Sequence, residues 1–358
     1  MHLNLNMPKY DILCTDESQD LNITQRWISM RGGERICAVG DEKQSIYQFR
    51  GAGGGSIGLM RDELQKTERG VVTLPLTLTR RCPKSHVKLA QTIVPQITAL
   101  DNAPEGVVRI SPSLDAAVAE MRPGDLVVCR VNAELIGMAY KLLKRGVKAV
   151  VRGRDIGQGM LKLIEQGSNR AGTQDAKLAE VLHEAGEITG EAVAKFNAMP
   201  QGRGEMRAAN AEDRYDCLVE LAQDCKTVGE LKGVIERLFS DFEADGQPKH
   251  AVVLGTVHRT KGLEGNRVFI LRPDLIPHPM AKKKEDQFAE LNLAYVACTR
   301  SRFVDNENPG ELIFVGRECP LFDLRTIEQV FEAPEAPLVI PDLQLVEGSG
   351  GDAAEWVM

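Results

Sequence analysis

No stretch of the sequence reaches the roughly 18 uninterrupted apolar residues that a membrane-spanning helix requires. The opening MHLNLNMPKYD lacks the basic start and long apolar region of a secretory signal, so a cytoplasmic protein with no membrane partner is expected. No C-x-x-C pair occurs: Cys14, Cys37, Cys82, Cys129, Cys217, Cys225, Cys298 and Cys319 are scattered and sit mostly in apolar runs. They are expected to be buried thiols, which excludes zinc ribbons and a disulfide framework. Excess positive charge is also missing. A net charge of -7 excludes a generally basic nucleic-acid coat, while leaving room for a local basic groove. No Gly-Lys dipeptide occurs, so the phosphate-cradling G-x-x-x-x-G-K-[ST] loop is not in these residues.

What is present is a globular composition: 358 residues, 43% hydrophobic and 27% charged, enough for about two or three domains. It excludes disorder, collagen and coiled coil as the main plan. The run Tyr10–Thr15 reads as a buried parallel strand ending in Asp16 and Glu17, followed by a helical stretch at 25–28 and a second strand over Arg35–Val39. A second strand-helix alternation follows, with strands at Val71–Leu78, Asp125–Cys129 and Val147–Val151 and helices at Ser85–Leu100 and Glu134–Lys144. Between 154 and 245, Ala, Glu, Leu and Lys replace the β-branched runs, which predicts a helical insertion. Strand signal returns at Val252–Leu254, Arg267–Leu271 and Leu312–Val315, and the residues after Phe331 carry acids without Lys or Arg. The tail is expected to be flexible.

The chemistry concentrates at the strand ends. In Asp16-Glu17-Ser18-Gln19-Asp20, one carboxylate can hold Mg²⁺ while its neighbour polarises a water aimed at a γ-phosphate. Gly40-Asp41-Glu42-Lys43-Gln44-Ser45-Ile46-Tyr47-Gln48-Phe49-Arg50-Gly51-Ala52 places an amide, two aromatic rings and a guanidinium in one loop after a strand. Those groups suit sensing a phosphate on one side and stacking unpaired bases on the other. The G-x-G-x-x-G of Gly53–Gly58 has no preceding strand and reads as a flexible loop.

These two strings resemble motifs II and III of UvrD/Rep-type superfamily 1 helicases, and three further motifs follow in family order. Leu78-Thr79-Arg80-Arg81-Cys82-Pro83 is similar to motif IV, with Arg80 where the family has an adenine-stacking tyrosine and Arg81 at the γ-phosphate position. Cys129-Arg130-Val131-Asn132 is similar to the segment after it. Gly255–Glu264 resembles motif V and Glu290–Arg300 resembles motif VI, with Arg300 at the arginine-finger position.

The resemblance implies an α/β fold of RecA-like P-loop NTPase helicase architecture, with a partial first RecA-like domain and a complete second one carrying a helical insertion. The implied division is 1–68 for the end of the first domain, 69–153 and 246–330 for the second, 154–245 for the insertion and 331–358 for the tail. It implies ATP and Mg²⁺ as cofactors, with Asp16 on the metal, Glu17 as base, and Gln44, Arg81 and Arg300 at the γ-phosphate. Arg80, Gly262 and Glu264 complete the nucleotide side, and Tyr47, Phe49, Arg50, Thr256 and His258 face DNA. The implied activity is 3′-to-5′ movement on single-stranded or 3′-tailed duplex DNA. Because only nine residues precede Tyr10, the phosphate cradle is expected on a separate N-terminal helicase half. The rival expectation is an inactive single-stranded nucleic-acid-binding or assembly module.

Overall fold

The computed structural model describes residues 8–46, 55–67, 70–172, 177–199, 204–239, 250–279, 281, 284–317 and 322. Tyr47, Phe49, Arg50, Gly51–Gly54, Lys282, Lys283 and the 331–358 tail lie outside them.

The first unit is β1 (Tyr10–Thr15), α1 (Ile23–Gly32) and β2 (Gly33–Ala38), the two strands pairing in parallel. A reciprocal cap starts α1: the Asn22 side chain accepts the Gln25 backbone N–H at 3.0 Å, and the Gln25 side chain accepts that of Asn22 at 2.9 Å. β1 is not the buried strand expected from its composition, since Tyr10 and Ile12 are about half exposed. A parallel strand is buried only when both sheet faces are covered, and among the described residues β1 pairs with β2 alone. The cysteine expectation changes with it. Cys14 is exposed, and Cys37 and Cys225 are partly so. The glycine run also departs from a pure loop, because α2 (Ser56–Gln65) begins within it behind Gly55 at φ +77°.

The main body is a six-stranded, all-parallel sheet in the order β5-β10-β9-β6-β8-β7. Its strands are β5 (Val107–Ser111), β6 (Leu126–Cys129), β7 (Ala149–Val151), β8 (Val252–Thr256), β9 (Arg267–Leu271) and β10 (Glu311–Val315). Period-2 alternation sends Val127, Cys129, Phe269 and Leu271 to one face and Leu126, Val128, Val268 and Ile270 to the other, and both faces are buried. On the first face lie α5 (Asn132–Lys144) and the four helices of the 154–245 stretch: α6 (Arg154–Arg170), α7 (Leu178–Asn197), α8 (Glu205–Ala222) and α9 (Val228–Leu238). Met160, Ile164, Leu218 and Ile235 from these helices share one core with Leu135 of α5 and Val252 of β8. On the second face lie α10 (Val257–Thr260) and α11 (Lys284–Cys298), with Ile46 from the loop after β2 in the same core.

Two expected elements are cut short by proline. The Val71–Leu78 run contains Pro75, which cannot donate to a ladder, and only β3 (Leu78–Thr79) pairs, with β4 (Thr98–Ala99). The helix expected over Ser85–Leu100 is α3 (Lys84–Gln91), ending ahead of Pro95. β5 and α4 (Leu114–Glu120) were not anticipated.

Within α3, His86 is fully buried; its Nε2–H donates to the Val107 carbonyl at 3.1 Å while Nδ1 has no partner. Burial pushes its pKa down to about 4, so the folded chain holds a neutral ring. The folded pKa lies below the unfolded one. The contribution is therefore complete above pH 6.5 and is lost as pH falls toward 4, amounting to about 3 kcal/mol. Urea unfolding at pH 7 and pH 4.5 checks this: the loss on acidification should be smaller in His86→Gln, and equal losses would refute it.

Candidate functional site

The loops leaving β1 and β2 are pinned together before any site residue is reached. The Val39 N–H donates to Thr15 O and the Ser18 N–H to Val39 O, each at 2.9 Å. At the end of β1, Asp16 is exposed and its Oδ1 accepts the Glu17 N–H at 2.8 Å. Glu17 has a left-handed backbone, φ 50°. A non-glycine residue in that region costs of order 1–3 kcal/mol, which the surrounding contacts must offset. The turn separates the two carboxylates: Glu17 accepts from the Gln19 amide and pairs with Lys261 Nζ at 3.1 Å, while Asp16 has no cation partner among the described residues.

Lys261 draws the loops together. Its side chain is only 7% exposed, and its ammonium also pairs with Asp20 at 2.5 Å and donates to the Gln44 carbonyl at 3.0 Å. One side chain from the loop after α10 thus touches both loops that leave the first sheet. Burial raises the Asp20 pKa against the opposing pull of Lys261. Asn292 of α11 adds a second tie, its Nδ2 donating to the Ser45 carbonyl at 2.9 Å. The Gln44 amide donates to Asp41 at 2.9 Å. Tyr295 stands against that same Asp41, and its hydroxyl pKa is raised, by burial first and by the Asp41 charge second.

Beside this junction sit two guanidinium groups, those of Arg300 and Arg81. Arg300 is 1% exposed, and its guanidinium donates to Val296 O at 2.8 Å, Thr299 Oγ1 at 3.2 Å and Leu263 O at 3.4 Å. Burial, and then the nearby Arg81 guanidinium, lower its pKa to about 10, so it stays charged at neutral pH. Arg81 pairs with Glu264 at 2.7 Å, while its buried Nε has no partner. Two guanidinium groups thus share one carboxylate and leave one donor unused, an arrangement that an anion would satisfy. Gly262, at φ +86°, makes the turn that carries the chain from Lys261 to Glu264.

The remaining expected residues fall around this centre. Thr256 is buried at the end of β8, His258 is half-buried in α10, and Arg80 is exposed beside Arg81. Sequence reading passed over Lys261, Asn292 and Tyr295, although each lies inside a string it quoted. It also missed Glu290, which is buried in α11, grips Arg130 through Nε at 3.0 Å and Nη2 at 2.8 Å, and accepts the His278 N–H at 3.0 Å.

The donor set suits a hard cation and a phosphate. Among the described residues no group of three or more His, Cys, Asp or Glu could hold a metal ion. Mg²⁺ needs only one or two carboxylates beside water and phosphate oxygens, and exposed Asp16 offers that.

Residues 67–304 match the UvrD-like helicase C-terminal domain, and residues 5–65 match the UvrD/REP helicase N-terminal domain. The parallel sheet with its flanking helices is the RecA-like helicase fold. The chain belongs to the UvrD/Rep-type DNA helicases, a nucleotide-dependent family that acts on nucleic acid. A comparison with curated protein sequences finds no match. No helix among the described residues is long and apolar enough to cross a membrane.

Proposed function

We propose that this chain is the motif II to motif VI portion of an ATP-driven, 3′-to-5′ single-strand DNA translocase. Its phosphate cradle is supplied by residues that are not in this sequence. The observation that carries the reading is Lys261, which bridges Glu17, Asp20 and the Gln44 carbonyl across two sheets. A change at the nucleotide is thereby felt by the loop that runs on to Tyr47, Phe49 and Arg50, which is the coupling a motor requires.

In this reading Asp16 holds Mg²⁺, which when bound neutralises charge on the phosphates. Glu17 accepts the proton of the attacking water once Lys261 releases it. Gln44 swings its amide from Asp41 toward the γ-phosphate, where Arg81 and Arg300 hold the anion. Arg80 and Glu264 flank the nucleoside, with Gly262 shaping the turn beneath them. Tyr47, Phe49, Arg50, Thr256 and His258 grip the single strand, the rings by stacking and the others at the backbone. The 1–68 part belongs to the first RecA-like domain, 69–153 and 246–330 to the second, and 154–245 is its insertion. A cytoplasmic role in DNA repair or replication fits such a motor.

Phe49→Ala tests the DNA side. Loss of one stacking ring is expected to weaken binding of a single-stranded oligonucleotide by about 1–3 kcal/mol, roughly 5- to 150-fold, read by fluorescence anisotropy. Unchanged affinity would remove Phe49 from the DNA path.

A further inference from the structure

The helices of the 154–245 stretch send a carboxylate to the end of the main sheet. Asp155, in the first turn of α6, meets Arg259 of α10 end-on: Nη1 donates to Oδ1 and Nη2 to Oδ2, each at 2.7 Å. A guanidinium makes the same two-point fit with two oxygens of a phosphate. A second guanidinium stands close. The hydrogen bonds from Arg259, and more weakly the charge of Arg214 on α8, hold the Asp155 carboxyl below its usual range against the opposing effect of burial. Arg152, which follows β7, is rooted beside Arg259: a side chain at Gly255 would meet the Cβ atoms of these two arginines at 3.4 and 3.8 Å. All of these residues belong to the six-stranded unit and the helices packed on it.

The Asp155–Arg259 pair is open to solvent, with side chains 71% and 35% exposed. Such a pair contributes little, so another anion can take the place of Asp155. Arg259 directly follows His258 and lies three residues after Thr256.

We propose that Arg259 and Arg214 form a phosphodiester-binding site at the seam between the main sheet and the inserted helices, occupied by Asp155 until a backbone phosphate of the single strand displaces it. The proposal rests on the reading of Thr256 and His258 as DNA-facing. It gives the inserted helices a restraining role, because their own carboxylate competes with the strand. A phosphodiester carries the same single charge as the carboxylate. It prevails through the other contacts of the strand, which hold it at the site as a tethered ligand.

The test measures binding of a single-stranded oligonucleotide to the full chain by fluorescence anisotropy across a range of salt concentrations, for the native protein, Arg259→Ala and Asp155→Asn. Both substitutions break the same ion pair, so a merely structural bridge would move affinity in the same direction in both. The proposed site moves it in opposite directions. Arg259→Ala should weaken binding about tenfold, as for loss of a charged hydrogen-bonded contact. It should also flatten the slope of log affinity against log salt by about 0.7, the value for one phosphate contact on a single strand. Asp155→Asn should strengthen binding about two- to fivefold, the worth of the exposed ion pair that the strand no longer has to break. Thermal unfolding midpoints check that each variant is folded, and Arg259→Gln and Asp155→Ala serve in place of one that is not. Native affinity and slope in Arg259→Ala, while Phe49→Ala loses affinity, would overturn this site alone, as would two variants that shift binding in the same direction. A native chain that binds no single strand would overturn the site together with the DNA reading on which it rests.

Discussion

Arg300→Ala is expected to lower DNA-stimulated ATP hydrolysis by the assembled motor about 10³–10⁵-fold, the range seen when a cation that meets the γ-phosphate is removed. Arg300 is buried with its donors on two carbonyls and a hydroxyl, and among the described residues no carboxylate pairs with it. A buried cation without a counter-charge is costly, and a second guanidinium beside it raises that cost, as its lowered pKa records. An incoming phosphate relieves both. Because Arg300 also ties α11 to the loop at Leu263, the variant loses some stability, so its unfolding midpoint must be measured alongside its turnover. Arg300→Lys separates the two roles: it keeps the charge, loses the planar fork, and is expected to recover only part of the rate. A rate within tenfold of the parent for a folded Arg300→Ala would remove the arginine from the reaction.

Lys261→Ala is expected to destabilise the chain by about 3–5 kcal/mol, the usual result of removing one partner from a buried ion pair. The ammonium is almost wholly enclosed, and Asp20, whose other oxygen already has no partner, would lose its only cation among the described residues. Exposed Glu17 adds little to this figure, being 58% accessible and screened by solvent. The pH dependence follows from burial. Asp20 without its lysine has a carboxyl still harder to ionise, so Lys261→Ala should regain stability as pH falls from 7 toward 5. Urea midpoints across that range check it. A loss under about 1 kcal/mol, with no recovery on acidification, would mean that the two sheets are not held by this contact.

Much of this site was legible in the residues because its chemistry sits at strand ends. The runs that lead to Asp16, Arg130 and Thr256 are β-branched and apolar, and β1, β6 and β8 fall where those runs fall. Pro75 and Pro95 lay in plain view and still misled, since a strand and a helix were drawn through them. β5 was passed over because Arg109 interrupts its apolar run and Gly106 precedes it at φ +76°. The inability to see Lys261 has another cause. Its partners Asp20 and Gln44 are 241 and 217 residues away, and nothing local distinguishes this lysine from a solvated one. Glu290 is similar, its partner Arg130 lying 160 residues upstream. The openness of β1 and the exposure of Cys14 were hidden for a related reason: composition gives a strand its tendency to be buried, while its neighbours decide whether it is.

The most direct test is DNA-stimulated ATP hydrolysis by the purified chain, alone and with a polypeptide that carries a G-x-x-x-x-G-K-[ST] loop encoded upstream of it. Glu17→Gln is run in parallel. No Glu17-dependent turnover by the chain alone is expected, and turnover by the mixture should fall roughly 10²–10⁴-fold in Glu17→Gln, as for loss of a general base. Glu17-dependent turnover by the chain alone would contradict the missing cradle. Hydrolysis by the mixture that survives Glu17→Gln would contradict the assignment of the site itself.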